Sequence, residues 1–189
     1  MPIQYTNRKQ KVLTLYQKPN KKGTLRYYFS EKPSEGATPV EQIPGGYEIY
    51  ENVHSQVFLR KQKPALIFPN ELALVKEIMD KHGGAKRYRV DVKGKQIIIY
   101  TPVEDVDFML ETFGIPSEAW QERVMRNIRW NDVMRFELID SNKRTFQAQR
   151  YCYLGRIDDW IEIGVSAPLE TVLRSFVPHI EQDSYFELF

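Results

Sequence analysis

Between residues 130 and 163 the sequence alternates apolar and polar side chains on both sides of a short polar cluster, residues 140–143. Before the cluster, the apolar side chains that share one parity are Met134, Phe136 and Leu138. After it, the apolar row consists of Phe146, Ala148, Cys152 and Leu154, and only Arg150 interrupts it. A period of two around turn-forming residues is typical of a half-buried antiparallel hairpin. The stretch predicts the centre of an antiparallel sheet, with residues 160–163 as a third short strand.

The rest of the chain contains further alternating segments, joined by turn residues such as proline, glycine and asparagine. They predict three more hairpins, formed by residues 11–17 and 24–30, by 47–51 and 56–60, and by 87–92 and 96–100. A spacing of three or four between apolar residues predicts helices. We expect these over 70–82, over 103–113, from 116–117 onward, and from near Ser166 to just before Pro178.

Two of these helices have local start signals. Asn70 is a suitable N-cap for the first helix. Thr101 and Glu104 resemble a capping box around Pro102, which would open the second helix. Because strands and helices are grouped and do not alternate, the predicted class is α+β. We expect an antiparallel sheet built from successive hairpins with about four helices, plus a small N-terminal β unit. The predicted domains are a basic β-hairpin unit over 1–63 and an α+β body over 64–189.

Composition excludes several classes of protein. No apolar run approaches the roughly 20 residues that span a bilayer, so we expect no membrane partner. The N-terminal residues contain no apolar segment behind their charges, which predicts no signal peptide and a cytoplasmic, soluble protein. Cys152 is the only cysteine among the 189 residues, so no internal disulfide can form.

The net charge of +2 is unevenly distributed along the chain. Residues 1–30 contain seven basic side chains and no acidic one, whereas residues 156–189 contain two basic and seven acidic ones. Such asymmetry indicates either a basic surface for a polyanion or a contact between the two ends of the chain. Sequence alone leaves both interpretations open.

The basic residues of the N-terminal hairpin form the first candidate site. They alternate with tyrosines, and the predicted nucleic-acid-binding residues are Arg8, Lys9, Lys11, Lys18, Lys21, Lys22, Arg26 and Tyr28. Lysine and arginine neutralise phosphates, and exposed tyrosines stack on unpaired bases. An acidic protein surface is the alternative partner. The structural alternative is a solvated lysine-rich turn whose tyrosines are half-buried in the sheet.

A second candidate is a carboxylate loop, in which Arg156, Asp158 and Asp159 would bind a small ligand or support an enzyme reaction. If the two aspartates lie in a strand, however, they point to opposite faces. The three histidines (His54, His82 and His179) are isolated in sequence and predict no metal site. We expect no cofactor and assign no catalytic residue, since Cys152 has the inward parity and no phosphate-binding glycine motif is present.

Two further features of the sequence are a row of arginines and an aromatic tail. The order of two helices followed by a hairpin resembles helix-turn-helix-wing in outline, and Arg123, Arg126 and Arg129 lie on one side of the second helix. A solvated face that pairs with nearby glutamates is the simpler explanation. The aromatic tail, residues 183–189, predicts an edge strand or a docking segment for oligomeric assembly. The leading hypothesis is a non-enzymatic binding module that contacts nucleic acid or an acidic protein through its basic hairpin.

Overall fold

The computed structural model describes residues 1–83, 87–104, 108–109, 112, 118–154 and 157–189. The chain divides into two compact units. Unit 1 comprises Met1–Pro64 together with Glu122–Asn127, and unit 2 comprises Ala65–Gln121 together with Ile128–Phe189. That residues 1–63 and 64–189 are separate domains stays a prediction.

Unit 1 is built from six short strands and contains two sheets. Its strands are β1 (Gln4–Thr6), β2 (Val12–Pro19), β3 (Leu25–Ser30), β4 (Thr38–Pro39), β5 (Tyr47–Glu51) and β6 (Val57–Lys61). Strand β2 pairs antiparallel with β1, β3 and β4, while β5 and β6 form a separate two-stranded sheet. The two hairpins predicted in this part of the sequence are therefore confirmed.

Unit 2 is organised around a five-stranded antiparallel sheet in the order β11-β10-β9-β8-β7. The strands are β7 (Arg89–Lys93), β8 (Gln96–Pro102), β9 (Trp130–Asp140), β10 (Thr145–Leu154) and β11 (Ile157–Pro168). The predicted hairpin on either side of residues 140–143 is present as β9 and β10. One face of this sheet supplies the core, which contains Ile97, Ile99, Met134, Phe136, Phe146, Ala148 and Ile163.

The predicted α+β class with about four helices is wrong. The described residues form three sheets with eleven strands and only three α-helices: α1 (Pro69–Gly83), α2 (Glu118–Asn127) and α3 (Leu169–Phe176). The protein is therefore mostly antiparallel sheet. None of these helices combines the length and the apolar character needed to cross a bilayer.

Strand pairing explains why two helix starts were predicted at the wrong positions. Thr101 and Pro102 end β8, where they pair with Asn131 and Trp130 of β9 and do not cap a helix. The helix predicted over 103–113 and the start predicted at 116–117 lie largely outside the described residues. The last helix begins at Leu169 and not near Ser166, because residues 157–168 form one long strand.

The start of α1 is fixed by a network that connects it to the β9–β10 turn. The helix begins at Pro69, so the predicted N-cap Asn70 lies inside it. The Phe68 backbone N–H donates to Glu71 Oε2 at 2.7 Å, as in a capping box. Arg144 donates to both carboxylate oxygens of Glu71, with Nε at 2.8 Å from Oε1, and its guanidinium lies 4.0 Å from the Phe68 ring centre. This bidentate pair links the helix start to the sheet.

The aromatic tail packs on its own sheet. Residues Asp183–Glu187 form a 3-10 helix and not the predicted edge strand, and Tyr185 is buried. Arg150, with 2% of its surface exposed, donates to the backbone oxygens of Leu188 at 2.8 Å and Phe186 at 3.1 Å. The guanidinium thus satisfies carbonyls of the tail. A role of the tail in oligomeric assembly stays a prediction.

Tyr88 is expected to make the stability of unit 2 depend on pH. Burial, with the nearby Glu181 carboxylate, raises the pKa of Tyr88 to about 12, against 10.0 for an ordinary tyrosine. The folded state therefore holds this proton more tightly than the unfolded chain does. We expect the Tyr88 contribution to the free energy of unfolding to be complete below about pH 10 and to be lost as the pH rises towards 12.

The difference between wild type and Tyr88→Phe isolates this group from the other tyrosines. Subtracting the ultraviolet titration curve of the variant should leave a single phenol step near pH 12. Urea denaturation should show a decline above about pH 10 that is steeper for wild type than for the variant. A difference step near the ordinary tyrosine pKa would contradict the burial argument.

Candidate polyanion-binding site

The β2–β3 hairpin positions the candidate basic residues. Its turn is held by Asn20, whose Oδ1 accepts hydrogen bonds from the backbone N–H groups of Lys22 at 2.8 Å and Thr24 at 3.0 Å. Gly23 adopts a φ of 80°, in the left-handed region that glycine occupies without steric cost. This Asx-type turn presents Lys21 and Lys22 at its tip, where both are exposed.

The strand register brings two more cations together. Lys18 pairs directly with Arg26, so both side chains lie on the same face of the hairpin. Tyr16 and Tyr28 form the next pair on that face, with ring centres 5.8 Å apart. The face therefore carries two adjacent cations followed by two aromatic rings.

A concave surface with a volume of about 750 Å³ lies along this end of the hairpin. Its lining residues are Lys18, Pro19, Asn20, Lys21, Lys22, Arg26, Tyr27 and Tyr28. We call this surface the basic pocket. Four of its eight lining residues are cations and none is a carboxylate, so its electrostatic potential favours an anionic ligand.

The cations of the basic pocket are poorly compensated. Lys18 Nζ donates to the backbone oxygen of Glu35 at 2.6 Å, which satisfies a donor without neutralising the charge. In the part of the chain that the structure describes, the side chains of Lys21, Lys22 and Arg26 have no ion-pair partner. Like charges directly opposite each other destabilise a strand pair. An anion between Lys18 and Arg26 would relieve that repulsion.

The tyrosines of the basic pocket are half-buried, and each has a defined neighbour. The Tyr28 hydroxyl shares a hydrogen bond of 2.7 Å with Ser34 Oγ and accepts another from the Ser34 backbone N–H at 3.1 Å. These bonds from Ser34 lower the pKa of Tyr28 below its ordinary value. The Tyr27 ring packs against Tyr47 of β5, with ring centres 5.9 Å apart. The tyrosines thus serve the sheet and also contribute part of their surface to the pocket.

Sequence reasoning assigned no role to the loop that contains Ser34 and Glu35. It contacts Tyr28 through Ser34 and Lys18 through the Glu35 backbone. These contacts join residues that are 6 and 17 positions apart. A proline- and glycine-containing linker shows no periodicity, so no signal in the sequence identifies them.

The other predicted basic residues do not line the pocket. Arg8 donates from its guanidinium to the Asn52 backbone oxygen at 2.9 Å, and Lys11 forms an ion pair with Glu31 at 2.6 Å. Lys9 is half-buried near β1. The predicted cluster of seven cations therefore separates into four that line the basic pocket and three that lie elsewhere in unit 1.

The predicted carboxylate site is only partly described. Asp158 and Asp159 are consecutive residues of β11, opposite Tyr153 and Cys152, so their side chains point to opposite faces of the sheet. Arg156 lies outside the described residues. A search of the described part of the chain shows no group of three or more histidine, cysteine, aspartate or glutamate side chains that could hold a metal ion.

Two arginines of the helix-turn-helix hypothesis have acidic partners. Arg126 forms an ion pair of 3.1 Å with Glu122, one helical turn away. Arg129 follows the helix and pairs with Glu104 at 2.9 Å. Pairing of this kind is what a solvated helix face requires. It leaves the β2–β3 hairpin as the better-supported candidate.

Comparison of the chain with protein-family models, with curated proteins and with solved structures finds no match. Function is therefore inferred from the geometry and charge of the hairpin alone.

Proposed function

We propose that unit 1 is a non-enzymatic module that binds nucleic acid through the basic pocket of the β2–β3 hairpin. The observation that supports this most directly is the pairing of Lys18 with Arg26 on one face, next to Lys21 and Lys22 and away from any lining carboxylate. A phosphate backbone offers several negative charges along a line. It is the ligand class that matches several uncompensated cations best.

Each side chain has a distinct role in this proposal. Arg26 presents a planar guanidinium that can bind a phosphate through two parallel hydrogen bonds. Lys21 and Lys22 act as mobile point charges at the tip of the turn. Lys18 has a preformed position because the Glu35 backbone oxygen holds its ammonium group. Contacts of this kind recognise the phosphate backbone and carry no base sequence specificity.

The distribution of charge supports the same partner. Residues 1–64 contain eleven basic and five acidic side chains, a net charge of +6. The remaining residues have a net charge of −4. A positively charged N-terminal part attracts a polyanion over a distance of about one Debye length, roughly 8 to 10 Å at moderate salt. This attraction increases the rate of encounter with nucleic acid.

An acidic protein surface is a second candidate. Leu25, which is 47% exposed and lies at the end of β3 beside Arg26, supplies apolar area that a protein interface uses. Such a partner would bind the same cations. The two candidate partners are distinguished by which anionic probes bind to the protein.

The test is binding of the purified protein to single-stranded DNA, duplex DNA and RNA at two salt concentrations. With four phosphate contacts, we expect the affinity for single strands to fall about 50-fold between about 50 mM and about 200 mM salt. Polyglutamate serves as the matched anionic probe without phosphates. Absence of binding to every nucleic acid at the lower salt would overturn the proposal, and binding to polyglutamate alone would favour the acidic protein.

A further inference from the structure

The β5–β6 hairpin of unit 1 has two chemically different faces. Register places Ile49 opposite Leu59 and Glu51 opposite Val57, and Val57 is 8% exposed, so this face is the inner one. On the other face, Tyr50 lies opposite Phe58 and Glu48 lies opposite Arg60. We call these four residues the outer face of the hairpin: Glu48, Tyr50, Phe58 and Arg60.

Two aromatic rings are aligned on this outer face, and one of them is exposed. The Tyr50 and Phe58 rings are stacked with their centres 6.5 Å apart and an angle of 27° between their planes. The Arg60 guanidinium lies 3.9 Å from the Tyr50 ring centre, and its Nε donates to Glu48 Oε1 at 2.8 Å. Phe58 nevertheless remains 45% exposed. The two polar residues thus order the Tyr50 side of the face and leave Phe58 open to solvent.

The stability of the β5–β6 hairpin does not require Phe58 to be exposed. Cross-strand aromatic pairs stabilise two-stranded sheets through ring contact, which the Tyr50–Phe58 pair already provides. The solvent-facing area of Phe58 adds nothing to that contact. Exposed aromatic rings stack on unpaired bases in many proteins, and arginine side chains add cation–π contacts to such sites.

Charge complementarity identifies the occupant of this face. Residues 1–64 have a net charge of +6, and the single carboxylate of the outer face, Glu48, is already paired with Arg60. A ligand that combines negative charge with flat aromatic groups is a single-stranded nucleic acid. A duplex keeps its bases stacked inside, and the charged side chains of an acidic polypeptide, aspartate and glutamate, have no aromatic ring to stack.

We propose that Phe58 and Tyr50 form a stacking platform for unpaired bases, so that unit 1 prefers single-stranded over duplex nucleic acid. This inference rests on the proposed function, because the basic pocket supplies the phosphate contacts while the outer face supplies the preference for single strands. The two contributions respond differently to salt. Phosphate contacts weaken as salt rises, whereas stacking does not release counterions.

The experiment compares Phe58→Leu with Phe58→Trp in the full chain, using a single-stranded oligonucleotide and a duplex of the same length. Leucine keeps the apolar volume and removes the ring, whereas tryptophan keeps an aromatic face. We expect Phe58→Leu to lower single-strand affinity about tenfold, with the duplex affinity and the salt slope unchanged. Phe58→Trp should retain wild-type affinity or exceed it.

Phe186→Leu is the matched control, because Phe186 is 64% exposed and belongs to unit 2. It should leave both affinities unchanged, and thermal unfolding should verify that each variant is folded. The stacking platform is overturned if wild type binds single strands and duplex equally, or if Phe58→Leu changes neither affinity or both affinities equally. The basic pocket is retained in each of these cases. If wild type binds neither probe at low salt, the proposed function itself is overturned.

Discussion

Replacing Lys21, Lys22 and Arg26 by glutamate in one variant is expected to lower the affinity for single-stranded nucleic acid at least about 100-fold at low salt. Each substitution removes a proposed phosphate contact and places a carboxylate in a pocket that is lined by none. Lys18 is left in place because its ammonium group holds the Glu35 backbone oxygen, so a change there would also disturb the loop. Fluorescence anisotropy with a labelled oligonucleotide measures the effect, and the salt slope should become shallower.

The control for this variant reverses the charge of three lysines that lie outside the basic pocket. Lys63, Lys76 and Lys143 are exposed, and their side chains have no ion pair within the described residues. Their replacement by glutamate changes the net charge by the same amount. We expect a loss of less than about fivefold, which reflects only long-range attraction. Equal losses in the two variants would show that net charge, and not the basic pocket, governs binding.

Gly164→Ala is expected to cost about 2 to 4 kcal/mol of unfolding free energy, the largest effect on stability that we predict. Gly164 lies in β11 with a φ of 62°, a conformation that disfavours any side chain. An ideal Cβ at this position would also lie 2.5 Å from Cζ of Phe176 in α3, far inside van der Waals contact. Either the strand or the helix must shift to accept it. Urea denaturation followed by circular dichroism measures the loss.

Gly94→Ala separates the two causes. Gly94 lies in the β7–β8 turn with the same φ of 62°, but a Cβ there meets no atom within 4 Å. Its replacement should therefore cost only the backbone term of about 1 to 2 kcal/mol. Shortening the ring in the double variant Gly164→Ala/Phe176→Leu should recover part of the loss. Equal costs at the two glycines, with no coupling to Phe176, would refute the steric argument.

The sheet of unit 2 was predictable because alternation with a period of two leaves a strong signal. The apolar row from Met134 to Leu138 lies in the core as predicted, and so do Phe146 and Ala148 of the second row. The interruption of that row by Arg150 could not be explained from sequence. Two of its three backbone acceptors belong to residues 36 and 38 positions later, and only the folded tail brings them to the guanidinium.

Irregularities of register were equally hidden. The β10–β11 pairing shifts between Phe146 and Ala148, at the position of Gln147. The Gln147 side-chain amide is buried there and donates to the Ile163 backbone oxygen at 3.0 Å. A glutamine within an alternating strand predicts a solvent-facing side chain. Only the geometry of the bulge shows that its amide replaces ladder hydrogen bonds.

The balance of helix and strand was predicted wrongly because local signals were overridden by pairing. Thr101, Pro102 and Glu104 have the residue types of a capping box, yet β9 recruits the first two as strand partners. Such pairing joins residues about 30 positions apart, beyond the reach of any capping rule. Local propensity is a weak prior in such cases.

The basic hairpin itself was predictable, since its turn residues and lysines are neighbours in sequence. The sequence did not predict which of its cations lack a compensating charge. Glu31, the ion-pair partner of Lys11, is 20 positions away, and the Asn52 backbone oxygen that Arg8 contacts is 44 positions away. Sequence therefore did not show that these two cations lie outside the pocket. Sequence therefore identified the candidate region, whereas the structure identifies the four cations that line one pocket.

Because Cys152 is buried, the reactivity of its thiol reports local opening of the sheet. The chain has one thiol, and its residue is 1% exposed within β10, the strand between β9 and β11. A disulfide reagent can reach it only when the sheet separates locally or the whole unit unfolds. Where reclosing is faster than modification, the ratio of the observed rate to that of a free thiol gives the equilibrium constant for opening. The chemistry of one sulfur atom thereby measures, without any added label, how often the part of the sheet around Cys152 opens.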